Sequence, residues 1–217
     1  MNILTFTVVL IGWIFSLCLH EFSHALVAYL GGDTTVKDKG YLTFNPLKYT
    51  HPVYSLLLPL LFLVLGGIGL PGGAVYIETW RLRSRSWMSA VSLAGPTANL
   101  ILAIILGTVL RFAPVTSSGL WPAVAFLAFL QISAVVLNLI PLPPFDGFGI
   151  LEPHLPGEVQ MRMAETRGML SWIVFFILWY VPIIGNLFWG LVGFLAQFVG
   201  VPLDLAGLGL SLFRFWG

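Results

Sequence analysis

The sequence predicts an all-α polytopic membrane protein with about six transmembrane helices. Charged residues make up only 9% of the 217 residues and hydrophobic residues 58%, whereas soluble domains have about 25% charged residues. Residues 86–110, 112–145 and 168–203 carry no charge, and each stretch is long enough for at least one span of about 20 apolar residues. The net charge of +1 offers no basic surface for phosphates, so we expect the lipid bilayer and not nucleic acid as a partner.

The first half of the chain contains two predicted spans and a polar segment between them. Residues 3–30 form the first span, because an apolar run stops there at two glycines followed by Asp33, which is typical of a helix C-terminus. Residues 34–44 combine β-branched and aromatic side chains, which indicates either a short β hairpin or edge strand or an irregular polar loop. Residues 53–70 are barely long enough to cross, and Pro59 favours a kinked or partial span.

The second half contains the remaining predicted spans. Residues 87–110 and 121–140 are the third and fourth, and three prolines exclude regular helix from residues 141–147. The polar residues 147–167 are typical of an extramembrane connection. The uncharged residues 168–203, which are interrupted by a proline, indicate a two-helix hairpin followed by a short terminal segment.

A metal-binding pattern lies inside the first predicted span. Residues 20–24 match H-E-x-x-H, and Glu21 is the one charged residue among the first 32. His20 and His24 are four residues apart, which places them about 40° apart around a helix, so both imidazoles can face one metal ion. A charge at this depth must be paired, hydrated or bound to metal. The pattern favours a metal site over its alternative, a polar cluster packed against another span.

A catalytic zinc site usually has three protein ligands, so a third must come from elsewhere in the chain. The candidates are His51, His154, Cys18 and the acidic residues. Cys18 lies about 200° around the helix from His20 and faces away, and the two histidines lie beside prolines in connecting segments. Asp146 ends a charge-free run in a proline-interrupted segment, where a carboxylate can face an interior cavity. Asp-Gly after prolines is also a turn signal, but together with H-E-x-x-H it favours a ligand.

Two distant motifs resemble the site-2 protease family of intramembrane zinc metalloproteases. They are H-E-x-x-H in an apolar helix and the sequence NLIPLPPFDG at residues 138–147. The sequence AGPTAN at residues 94–99 also matches a family pattern. The resemblance covers about residues 12–150. We therefore expect one integral membrane domain over residues 1–217, with accessory helices at about 168–217.

The resemblance implies a set of site residues. One Zn²⁺ per chain would lie on His20, His24 and Asp146, with Glu21 as the catalytic acid and base. Asn138 and Asn99 would line the site and hold the substrate backbone or the developing oxyanion. The alternative for both is a hydrogen bond between membrane helices.

The resemblance also concerns the segment after the metal-binding helix. Family members have a short membrane-associated sheet there, which favours a β element within residues 34–44, and its edge could receive an unwound substrate strand. Tyr49 and His51 stand where the family commonly has His and Asp. An accessory role of that His or Asp therefore does not carry over to these two positions, whereas the three ligands and Glu21 are unaffected.

The predicted function is hydrolysis of peptide bonds in transmembrane proteins or peptides, by a zinc-activated water with Glu21 as general base. The main alternative is a non-catalytic zinc-containing membrane scaffold or chaperone, which would have no use for a carboxylate beside the metal. A transporter with a proton relay would distribute ionisable residues over several spans. Here they are concentrated in one helix and one proline-rich segment.

Overall fold

The computed structural model describes residues 2–49, 63, 75–113 and 116–214, and this part of the chain is helical without a β-strand. Single turns of 3₁₀-helix occur at Pro46–Lys48, Thr79–Arg81 and Glu152–His154. The α-helices are α1 (Ile3–Gly31), α2 (Thr35–Asp38), α3 (Arg85–Phe112), α4 (Trp121–Asn138), α5 (Asp146–Leu151), α6 (Gly157–Tyr180), α7 (Pro182–Phe198) and α8 (Leu203–Phe213).

Three of the described helices, α1, α3 and α4, are long and apolar enough to cross a membrane, which is consistent with a membrane protein. Helices α7 and α8 meet at a bend of 116° and together could form a fourth, broken span. The prediction of about six spans is therefore wrong for the described residues. Helix α6 begins at Gly157 and includes the charged residues Glu158, Arg162 and Glu165. The second part of the predicted extramembrane connection and the start of the uncharged run at residue 168 therefore belong to one helix. The predicted span at residues 53–70 lies outside the described residues, apart from Leu63.

The predicted β element after the first helix is also wrong. Residues 35–38 form the single turn α2, and the described residues around them contain no strand. The Asp33 carboxylate accepts hydrogen bonds from the Thr35 backbone N–H at 3.1 Å and the Thr35 hydroxyl at 2.6 Å. These local side-chain bonds stabilise a helical turn, and they outweigh the strand preference of the β-branched residues.

Helix α1 ends where the glycine pair predicts. Gly32 has φ of 122°, and its backbone N–H donates to the carbonyls of the last turn. A residue with a β-carbon would be strained in this conformation, whereas glycine is not. After this helix end the chain continues into residues 33–49, which pack beside the part of α1 that contains H-E-x-x-H. Tyr41 and Tyr49 lie in one buried cluster with Cys18.

The long helices approach one another closely at small residues, as is usual in membrane proteins. Gly12 of α1 lies against Leu127 of α4, and Gly209 of α8 lies against the backbone carbonyl of Pro122. Phe213, at the end of α8, is buried in the same apolar cluster as Trp13. The C-terminal helix therefore packs directly on the helices that carry the site.

Candidate metal centre

The three predicted ligands converge where α1, α3 and the first residue of α5 meet. The Nε2 atoms of His20 and His24 lie 3.0 Å apart. The Asp146 Oδ2 atom lies 3.2 Å from the former and 3.4 Å from the latter. These side chains form a group that could hold a metal ion. The helical spacing of the histidines places them on one face, and the turn over residues 139–145 brings Asp146 back to them.

The donor atoms of this group fit a metal ion. The Asp146 Oδ2 atom is buried and has no hydrogen-bond partner among the described residues. The two histidine Nε2 atoms face it and each other. Buried polar atoms normally find a partner, and a cation between these three atoms would supply one. Two imidazole nitrogens and one carboxylate oxygen are also the donor set of many catalytic zinc sites.

The outer nitrogens of both imidazoles are already engaged. His20 Nδ1 lies 2.7 Å from Asn99 Oδ1, and His24 Nδ1 lies 2.6 Å from the backbone carbonyl oxygen of Val91. Because a carbonyl oxygen accepts and does not donate, each Nδ1 carries the hydrogen and donates it. Each Nε2 then keeps its lone pair for the metal. Metal-binding histidines commonly have this arrangement.

Gly95 of α3 leaves the space that the two imidazoles occupy. A β-carbon at this position would overlap the Nε2 atoms of both His20 and His24. The glycine of the AGPTAN sequence is therefore needed for close approach and not for backbone conformation, because it lies within a regular helix.

Glu21 lies beside the ligands and is 3% exposed. Its Oε2 atom accepts a hydrogen bond from the backbone N–H of Val75 at 3.1 Å. A cavity of about 370 Å³ lies on this side of the group, lined by parts of residues 75–82, the first half of α3 and residues 143–153, including Asp146. The carboxylate of Glu21 is thus held next to the ligands by a segment that also forms a wall of the cavity.

That segment, residues 75–78, is attached to the end of α1 by a polar network. The buried Asp33 carboxylate accepts from the Glu78 backbone N–H at 2.8 Å. The Lys39 ammonium group donates to the Tyr76 carbonyl at 3.3 Å and pairs with the Glu78 carboxylate at 2.9 Å. Hydrogen bonds from Arg81 and Lys39 lower the pKa of Glu78. Sequence reasoning missed this network, although a lone acid directly after helix-ending glycines was a usable signal.

The structure places the remaining candidates differently. Asn99 lies behind His20, and its amide also donates to Gln131 Oε1 at 2.9 Å. Asn138 is buried at the end of α4, and no hydrogen bond joins it to the ligands within the described residues. His154 is exposed and lies 3.0 Å from the Ser89 hydroxyl. His51 lies outside the described residues.

Cys18, a candidate ligand in the sequence, and Tyr49, a departure from the family pattern, both belong to the packing between α1 and the segment that follows it. Cys18 is buried in the apolar cluster and is not part of the candidate metal group. The Tyr49 hydroxyl lies 2.7 Å from the Thr43 carbonyl and 3.2 Å from the Cys18 carbonyl, and burial raises its pKa. These bonds attach residues 41–49 to α1.

Comparison with known proteins identifies relatives of this chain. No family model matches the chain, and no solved structure gives a significant match. Two mycobacterial relatives, from Mycolicibacterium smegmatis and Mycobacterium tuberculosis, are named "Putative zinc metalloprotease Rip2". Each is 48% identical to this chain, over 97% of this chain and 81% of the relative. The protein YwhC of Bacillus subtilis, named in the same way, is 32% identical over 81% of each chain.

The chain belongs to the site-2 protease family of zinc metalloproteases. Membership of the site-2 protease family agrees with the donor set and with the apolar helices that surround it. The match covers nearly the whole chain and therefore includes α1, which carries the histidines, and the segment that carries Asp146.

Proposed function

We propose that the protein is an intramembrane zinc metalloprotease that hydrolyses peptide bonds of membrane-spanning proteins or peptides. The observation that carries this proposal is the group formed by the buried side chains of His20 and His24 with the buried Oδ2 atom of Asp146, beside the buried Glu21. It lies partly on α1, a helix apolar enough to span a bilayer. A charge-bearing group at that depth is costly and normally has a function.

In this proposal His20, His24 and Asp146 hold one Zn²⁺. When bound, zinc supplies Lewis-acid chemistry, which polarises a carbonyl group and makes water more acidic. Glu21 accepts a proton from the attacking water as its oxygen bonds to the carbonyl carbon. Glu21 then returns the proton to the leaving amine as the C–N bond breaks. The Val75 backbone N–H supports this role because it orients the carboxylate without adding a charge.

The cavity supports a route for the substrate. It reaches Asp146 and is lined by residues 75–77, which have no regular secondary structure. A transmembrane helix hides its carbonyl groups in its own hydrogen bonds, so it must unwind before cleavage. We propose that the unwound stretch enters this cavity from the bilayer. The three candidate spans would then cross the membrane and make the protein multi-pass.

The test compares Glu21→Gln with the wild type in cells, where the cleaved membrane proteins themselves identify the substrate. The variant should retain zinc and cleave membrane proteins about 10²–10⁴-fold more slowly, which is the usual contribution of a general base. The measurement is the set of new N-termini within apolar segments of membrane proteins. Glu158→Gln, which changes an exposed acid of α6, is the matched control and should cleave normally.

The outcomes separate the proposed protease from a scaffold. Undiminished cleavage by Glu21→Gln would end the assignment of the base. A wild type that binds zinc but produces no new N-termini in membrane proteins would favour the non-catalytic scaffold. Loss of cleavage with zinc retained supports the protease.

A further inference from the structure

A chain of buried polar side chains crosses three helices behind His20. His20 Nδ1 lies 2.7 Å from Asn99 Oδ1 of α3, and Asn99 Nδ2 lies 2.9 Å from Gln131 Oε1 of α4. Gln131 Nε2 in turn lies 3.1 Å from the Ser16 hydroxyl of α1, which lies 2.8 Å from the Trp13 backbone carbonyl. Gln131 is only 1% exposed. The chain of hydrogen bonds therefore starts at His20 on α1 and returns to the same helix at Ser16, about one turn before His20.

The bonds of this chain have a fixed direction. The Trp13 carbonyl can only accept, so the single hydroxyl hydrogen of Ser16 is donated to it. Ser16 Oγ must then accept from the Gln131 amide group, which turns Gln131 Oε1 toward Asn99. The Asn99 amide group donates to that oxygen, so Asn99 Oδ1 is left facing His20.

The direction of the chain determines the tautomer of His20. Because Asn99 Oδ1 can only accept, His20 Nδ1 carries the hydrogen and Nε2 keeps its lone pair. The other tautomer would put a hydrogen on Nε2, with Asp146 Oδ2 at 3.2 Å and His24 Nε2 at 3.0 Å as acceptors. In that form the ligands would satisfy one another, and His20 would not be available to a metal ion.

We infer that Gln131 is a positioning residue of the metal centre, which fixes the amide of Asn99 and thereby keeps His20 in its metal-binding tautomer. This inference rests on the proposed function in taking His20 as a ligand of zinc. A glutamine in a membrane helix can also serve simply to join helices. That role would require neither a fixed direction nor a chain that ends on a metal ligand, and both are present here.

The test measures zinc affinity in the purified full-length protein by competition with a chelator of known affinity. Gln131→Met keeps the length of the side chain and removes both polar ends. It should weaken zinc binding by about 10–100-fold, the usual cost of losing an outer-shell partner. The matched control is Ser133→Ala, which removes a different buried polar group of α4, a hydroxyl whose one hydrogen bond among the described residues goes to the Leu130 carbonyl. Its zinc affinity should equal that of the wild type.

A double variant distinguishes positioning from general support. Because Gln131 acts through Asn99, Asn99→Ala combined with Gln131→Met should bind zinc no more weakly than Asn99→Ala alone. In metal-free protein, the ring ¹⁵N shifts of His20 should report the Nδ1–H tautomer in the wild type and a shift toward Nε2–H in Gln131→Met. Ser16→Ala, a smaller change at the far end of the chain, should move the same shifts in the same direction and serves if Gln131→Met does not fold.

The inference is overturned if Gln131→Met binds zinc as tightly as the wild type, or if its effect adds fully to that of Asn99→Ala. Unchanged ¹⁵N shifts in Ser16→Ala would overturn it as well. These results are separate from the proposed protease activity, because no readout involves cleavage. A wild type that binds no zinc would contradict the proposed function instead.

Discussion

At the scale of single residues, the metal group is an arrangement of three acceptors that repel one another unless something lies between them. His20 and His24 both donate their Nδ1 hydrogens outward, to Asn99 and to the Val91 carbonyl. Their Nε2 atoms and the buried Asp146 Oδ2 are left facing inward. Such a cluster is stable when a cation or a shared proton joins its members. Removing one member should therefore act on metal binding first.

Asp146→Ala should copurify with far less zinc than the wild type. Losing a direct ligand should weaken zinc binding by more than about 100-fold, which is the upper end of the cost of losing an outer-shell partner. Metal content by mass spectrometry is the measurement. Asp38→Ala, which changes an exposed acid of α2, is the control and should retain full zinc. Full occupancy in Asp146→Ala would mean that another residue completes the site, and His51 would be tested next.

The residues of the site differ in how far the sequence could predict them. The spacing of His20 and His24 places both on one helical face whatever the rest of the fold. The approach of Asp146 depends on the path of the proline-rich segment, and the sequence indicated it only through the position of this acid after a charge-free run and through the resemblance to known proteases. Gln131 could not be predicted, because a polar residue in an apolar helix needs a partner but its sequence does not say which.

At the scale of elements, the long helices follow their sequence signals closely. Helices α1, α3 and α4 begin and end within about two residues of their predicted bounds, because apolar length and helix-ending residues are local features. The strand predicted after α1 is a helical turn instead, since Asp33 bonds to Thr35. That acid is also bonded to the distant Glu78 N–H, a partner that the local sequence around Asp33 does not identify.

Gly95→Ala tests the close approach of α3 to the metal group. The new methyl group would overlap both imidazoles, so the ligands must move or the helices must separate. Zinc affinity should fall at least about tenfold, and overpacking should cost about 1–3 kcal/mol of stability. Gly190→Ala in α7, where a β-carbon meets open space, should be neutral or stabilise by up to about 1 kcal/mol. If both variants bind zinc equally well, the packing at Gly95 does not constrain the ligands.

At the scale of the whole molecule, parts of the chain that are distant in sequence join at α1. Its middle carries two of the proposed ligands, and its N-terminal end meets α8, where the Asn2 N–H donates to the Leu212 carbonyl at 2.8 Å. Phe6 stacks on Phe213 with ring centres 5.2 Å apart. The site is therefore built on a helix that is held at both its cavity side and its N-terminal end.

Because the ligands come from α1 and α5, zinc should join these two elements and stabilise the folded protein. At free zinc 100 times above the dissociation constant, the expected stabilisation is about 2.7 kcal/mol, or roughly 5–11 °C in Tm for a chain of this size. Adding a strong chelator to the protein in detergent should lower Tm by that amount, and excess zinc should restore it. Asp146→Ala should melt at the same temperature with and without chelator, because it can no longer link α5 to α1 through the metal. An equal decrease in Tm for this variant would show that the chelator acts elsewhere, and the assignment of Asp146 as the linking ligand would be wrong.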